Sequence, residues 1–139
     1  PRSTNIKTQP YPGFPTDVQA PYMALCAISS GTSIISETVF DNRFAHAEEL
    51  GRMGAKIRIE GPNAIIEGVP RLASAEVRAT DLRAGAALTL AGLAAVGETE
   101  VTGTEHIERG YSDFVHKLRR LGADVENVPP KRHAGLAQR

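Results

Sequence analysis

An α/β fold made of repeated units follows from three features of the sequence. β-Branched runs alternate with helical ones along the chain. The run "TDVQA" (Thr16 to Ala20) returns as "TDLRA" (Thr80 to Ala84). Gly31 and Arg43 are answered, at the same mutual spacing, by Gly97 and Arg109. Alternating helices and strands point to the α/β class. A period of about 66 residues is too long for the common solenoids and indicates a few large units packed together. The expected organisation is two units, about residues 11–69 and 73–128, forming part of one domain, with 129–139 ("PPKRHAGLAQR") as a solvated tail.

The first unit opens with a helix expected over Asp17 to Ser29. Thr16 stands as its N-cap, and Gln19, three positions on, has the spacing of a capping box. Pro21 is tolerable because it falls in the first turn, where its missing N–H would be unpaired anyway, and Gly31 ends the helix. "TSIISET" (Thr32 to Thr38) reads as a strand. Phe44 to Gly54 reads as an amphipathic helix whose apolar stripe is Phe44, Ala47, Leu50 and Met53. "AKIRIEGPNAIIEGV" reads as two strands joined by a tight turn at Gly61-Pro62-Asn63.

The second unit repeats this order. A short strand is expected at Glu76 to Ala79, a helix at Asp81 to Val96, and a strand in "ETEVTGT" from Glu98. A helix around Ser112 to Leu121 and a strand "ADVENV" follow. In each unit the first helix is almost wholly small or apolar, so it is expected inside, and the second, amphipathic helix outside.

Bulk properties bound the function. Sixteen basic residues balance sixteen acidic ones in 139 residues, so net charge gives no argument for nucleic acid or an anionic membrane, and an anion site must be local. A lone cysteine makes no internal disulfide, which fits a reducing compartment. The longest apolar stretch, Ala84 to Gly97, falls short of the roughly 20 residues that a membrane-spanning helix needs. No signal-peptide pattern opens the chain, and without an initiator Met a piece of a longer protein is expected.

"PTDVQA", "VFDNRF", "ATDLRA" and "HIERGY", in this order and spacing, resemble the C-terminal part of the UDP-N-acetylglucosamine 1-carboxyvinyltransferase family of enolpyruvyl transferases, from about Tyr11 to Val128. The resemblance implies an inside-out α/β barrel built of βαβαββ units. The implied reaction transfers the enolpyruvyl group of phosphoenolpyruvate to the 3-hydroxyl of UDP-N-acetylglucosamine with release of phosphate. It would serve peptidoglycan precursor synthesis in the cytoplasm, and so cell-wall biogenesis and division.

By the same resemblance Asp17 is catalytic, contacting the sugar hydroxyl and accepting its proton, while Val39 and Phe40 hold the UDP-sugar. Arg83 and Arg109 bind phosphoenolpyruvate, whose phosphate and carboxylate suit two-pronged guanidinium contacts. Arg43 is divided between site architecture and direct contact. The residues alone also allow plainer readings. Acidic residues are common in first helical turns for stability, which is the reading given to Asp81, and unaided the arginines would be surface ion-pair partners. Cys26, in the middle of the apolar helix, reads as a small core residue; by the resemblance the family's reactive cysteine and its lysine belong to an N-terminal part outside these residues, so Cys26 is not the nucleophile. The histidines lack metal-ligand spacing, so no metal site is expected, and no cofactor is expected. With half of the site missing, this chain is expected to be inert alone. The alternatives are a shikimate-directed enolpyruvyl transferase and a non-catalytic module binding an anion or sugar nucleotide.

Overall fold

The computed structural model describes residues 1–41 and 43–129, so the expected tail beyond Pro129 lies outside the described residues. The first unit forms β1 (Ile6–Lys7), a 3-10 turn (Thr16–Val18), α1 (Gln19–Ala27), β2 (Thr32–Ser36), α2 (Ala45–Arg52), β3 (Lys56–Glu60) and β4 (Asn63–Glu67). The second forms β5 (Glu76–Arg78), α3 (Leu82–Ala94), β6 (Glu100–Thr102), α4 (Glu105–Gly110) and α5 (Phe114–Arg120).

Four strands make the first sheet in the order β1-β2-β4-β3. β1 runs parallel to β2, with Ile6 opposite Ile35, and the rest is antiparallel. Gly61, at φ +57°, turns the β3–β4 hairpin as its spacing predicts. β5 and β6 form a separate parallel pair, Val77 opposite Val101. Each parallel pair is bridged by an inner helix, α1 or α3, and these two helices pack on each other.

The expected contrast between helices holds. Ala20, Met23, Ala24, Cys26 and Ala27 are buried on α1, and Ala84, Ala86, Ala87, Leu88 and Ala91 on α3. α2 buries only one stripe, and α5 has no buried residue. Ala47, Leu50 and Met53 of that stripe meet Ile35, Ile66 and Leu72 in one core. Cys26 is in this core, where burial pushes its thiol up despite a hydrogen bond with Ser33.

Four expectations need correction. β1 was not foreseen, and it completes the βαβαββ order of the first unit. The helix expected around Ser112 to Leu121 forms as α5, but a separate helix, α4, which was not expected, precedes it. Asp113, in the left-handed region at φ 53°, breaks the chain between them. "ADVENV" forms no strand. A strand needs a partner for its ladder, and among the described residues the β5–β6 pair has no hairpin beside it to supply one. Finally, the capping box at Thr16 and Gln19 does not form, because both side chains bond Glu37 instead.

Candidate functional site

Proline shapes the approach to α1. The loop between β1 and the 3-10 turn carries Pro10, Pro12, Gly13 and Pro15, and Pro15 occupies the N-cap position with no side chain to offer. Asp17 therefore sits inside the 3-10 turn, its carboxylate 68% exposed. It reaches across to the second unit, where the Arg83 guanidinium, 32% exposed, donates from Nε at 2.7 Å and Nη2 at 2.5 Å, both to Asp17 Oδ1. Asp17 Oδ2 has no hydrogen-bond partner among the described residues. Two residues expected to serve different ligands thus form one charge-assisted pair. Asp81 plays the plainer part: it caps α3, accepting from the backbone N–H of Arg83 and of Ala84 at 2.9 Å each.

Beneath Asp17 lies a carboxylate that sequence reasoning missed. Glu37, just past β2 and 4% exposed, accepts hydrogen bonds from Thr16 Oγ1 (2.6 Å), Gln19 Nε2 (3.3 Å), the Val39 N–H (3.1 Å) and Thr8 Oγ1. Burial pushes its carboxyl up, but the bonds from Thr16, Thr8, Val39 and Gln19 outweigh this and hold it below the usual carboxylate value. One signal was available: an acidic residue closing a run of β-branched residues, where the second copy has glycine (Gly103) at the matching place.

Val39 and Phe40 follow Glu37 in the loop, half-buried and exposed respectively. The Arg43 guanidinium stacks over the Phe40 ring, 4.1 Å from its centroid, and the Arg43 carbonyl accepts from Gln19 Nε2 at 3.2 Å. Phe40, Asp41, Arg43, Phe44, Ile59 and Pro62 line an open cleft of about 890 Å³ with Glu37 at its wall. A second, tiny hollow of about 10 Å³ lies between Thr16, Gln19, Arg43, His46, Asp81 and Arg83. Gln19 Oε1, Arg43 Nη1 and His46 Nε2 are buried without a partner. Burial drives the His46 imidazole down to about 4, against the pull of Asp81 and Glu37, so it is neutral at physiological pH.

Arg109 stands apart. It lies in the last turn of α4, exposed and without a hydrogen bond or ion pair among the described residues. It lines neither hollow. α4 packs on α3, the helix that carries Arg83. No group of three or more His, Cys, Asp or Glu side chains suited to a metal occurs among the described residues.

Paired βαβ units around two inner helices, with a carboxylate and a guanidinium joined at the helix starts, define an α/β scaffold of two packed repeats. The chain belongs to the EPSP synthase (3-phosphoshikimate 1-carboxyvinyltransferase) family, which it matches over residues 1–118. Among curated proteins it is 64% identical over 124 residues to UDP-N-acetylglucosamine 1-carboxyvinyltransferase 2 of Carboxydothermus hydrogenoformans, covering 89% of this chain and 30% of that protein. It is 56% identical over 124 residues to the UDP-N-acetylglucosamine 1-carboxyvinyltransferase of Clostridium botulinum, with the same coverage. Of solved structures, the enolpyruvyl transferase NikO from Streptomyces tendae superposes with a TM-score of 0.81 at 34% identity, over 93% of this chain and 30% of that one. EPSP synthase from Acinetobacter baumannii, at 22% identity and a TM-score of 0.72 over 79% of this chain and 27% of that one, shares the fold. The chain thus spans about 30% of the length of the curated relatives it matches.

Proposed function

We propose that a full-length protein carrying this chain transfers the enolpyruvyl group of phosphoenolpyruvate to the 3-hydroxyl of UDP-N-acetylglucosamine, releasing phosphate, in cytoplasmic peptidoglycan precursor synthesis. The observation that carries the reading is the Asp17–Arg83 pair joining the starts of the two inner helices. It puts a proton acceptor next to an anion ligand, as the reaction requires. The identities of 56% and 64% to proteins named for the UDP-sugar reaction favour that branch over the shikimate one.

In this reading both Arg83 contacts fall on Asp17 Oδ1, so Oδ2 is the oxygen left to face the sugar hydroxyl. In the net exchange at C2 of phosphoenolpyruvate the hydroxyl oxygen takes the place of the phosphate oxygen, the hydroxyl proton passes to Asp17, and phosphate is released. Arg83 keeps further N–H donors for phosphoenolpyruvate, and Arg109 supplies a second guanidinium. Val39 and Phe40 hold the UDP-sugar. Arg43, stacked on Phe40 and bonded to Gln19 through its carbonyl, serves site architecture. Residues 1–128 form part of the transferase domain, in two units. Its N-terminal part supplies the opposite wall of the cleft, and neither nucleic acid nor membrane is a partner. No helix among the described residues is long and apolar enough to cross a membrane.

The test is phosphate release by the purified full-length protein. Release is expected only with phosphoenolpyruvate and UDP-N-acetylglucosamine together, and none from the 139-residue chain alone. Release with shikimate 3-phosphate as acceptor instead would favour the shikimate branch. Sugar-nucleotide binding without release would favour a non-catalytic module.

A further inference from the structure

Among the described residues Glu37 is the only buried acidic side chain. Its four donors come from four segments: Thr8 after β1, Thr16 in the 3-10 turn, Gln19 in α1, and Val39 in the loop beyond β2. Its own N–H donates to Pro62 O at the tip of the β3–β4 hairpin. The turn that presents Asp17 has no side-chain cap, and the side-chain bonds that fasten it from below are those from Thr16 and Gln19 to Glu37. The scaffold itself does not demand a carboxylate here. In the second unit the matching position is Gly103, at φ +73°, where an added Cβ would collide with the Ala79 carbonyl. The second unit closes this junction with backbone, and the first closes it with a charged side chain.

We propose that Glu37 is a positioning residue for the transfer reaction, fixing Asp17 and the Val39–Phe40 segment relative to each other through the Thr16 hydroxyl and the Val39 amide. This rests on the function proposed above. Glu37→Gln tests it, because the amide nearly keeps the shape but cannot satisfy all four donors. Glu37 Oε1 serves Thr16 and Gln19, and Oε2 serves Thr8 and the Val39 N–H. Hydroxyls can turn to accept, whereas the Gln19 amide nitrogen and the Val39 N–H only donate. Whichever oxygen becomes NH₂, one donor faces another. Turning the Gln19 amide over only moves the conflict to the Arg43 carbonyl.

The experiment uses the full-length protein, with Glu37→Gln compared with Ile66→Val, a fully buried β4 residue outside the site. Turnover and amide hydrogen exchange are both read. Glu37→Gln is expected to lower kcat about tenfold or more, within the range that misplacing catalytic groups costs. Faster exchange is expected only around residues 16–20 and 38–40. Ile66→Val should lower thermal stability while leaving kcat within about twofold of wild type. Adding Thr16→Val to Glu37→Gln should lower kcat little further, because both changes break one connection. A kcat for Glu37→Gln within about twofold of wild type, or exchange raised evenly across the protein, would overturn the proposal. A wild-type protein that releases no phosphate would instead sink the transferase reading, and the exchange pattern would still decide whether Glu37 fixes the two segments.

Discussion

The two units put the same dipeptide, Thr-Asp, at the start of an inner helix and use it differently. Asp81 is the N-cap of α3, with its carboxylate occupied by two backbone N–H groups. Asp17 is excused from capping because the chain arrives through prolines and a 3-10 turn, leaving its carboxylate for Arg83. The register of the strands locates the insertion that does this. The approach from Ile6 to Asp17 is longer than the approach from Val77 to Asp81, and Pro10, Pro12 and Pro15 all lie in that longer approach. One copy of the duplicated unit thereby spends its aspartate on capping, and the other leaves its aspartate exposed and paired across the units.

Asp17→Asn is the sharpest way to break this comparison. In the full-length protein it should cut turnover by about 10² to 10⁴, the usual contribution of a positioned proton acceptor, with much less effect on sugar-nucleotide affinity. Asp81→Asn should leave turnover nearly unchanged, because asparagine caps helices as well as aspartate does. Steady-state kinetics and titration with UDP-N-acetylglucosamine check both. Equal losses at the two positions would end the division of labour.

His46 lies where the units meet, facing Asp81 of the second and Glu37 of the first. Its imidazole is held at about 4 in the fold, below the ordinary value near 6.5. Between those values the unfolded chain takes up a proton that the folded protein refuses, so stability falls as pH drops from about 6.5 towards 4. The loss from this residue is on the order of 3 kcal/mol. Denaturant unfolding of the full-length protein at pH 7.5 and pH 4.5 should show it, and His46→Leu should remove it. An identical pH dependence in the variant would mean that His46 is not buried as a neutral ring.

Arg109→Lys probes the second unit's other contribution. Lysine keeps the charge but loses the planar fork, so kcat/KM for phosphoenolpyruvate should fall roughly tenfold while sugar-nucleotide binding is spared. Unchanged kinetics would remove Arg109 from the ligand set.

How much of this could be read from the chain depended on the range of the interaction. α2, its stripe and the hairpin at Gly61 were legible because period and turn chemistry are local. β1 was not, because so short a strand has no alternation to display and its partner β2 lies on the far side of α1 in the chain. "ADVENV" alternates well enough, yet stays irregular with no neighbouring strand to pair with among the described residues. At the site, Asp17 and Arg83 could be singled out, but not that they bind each other from separate units. Glu37 escaped entirely, because a glutamate at a strand end reads as solvated until Thr8, Thr16 and Gln19 converge on it.

The smallest expected effect sharpens the comparison from the side of stability. Asp81→Ala leaves the Arg83 and Ala84 N–H groups at the start of α3 without their side-chain acceptor, a loss that typically costs about 1 kcal/mol. Asp17→Ala removes no cap. It gives up a pair whose aspartate side is mostly exposed and screened by water, and such pairs contribute about 0–1 kcal/mol. In thermal unfolding Asp81→Ala should therefore lower stability at least as much as Asp17→Ala does, while the order for turnover is reversed. If Asp17→Ala proved the more destabilising of the two, the first unit's aspartate would be holding α1 in place, and its freedom for chemistry would be lost as an explanation for the proline-rich approach.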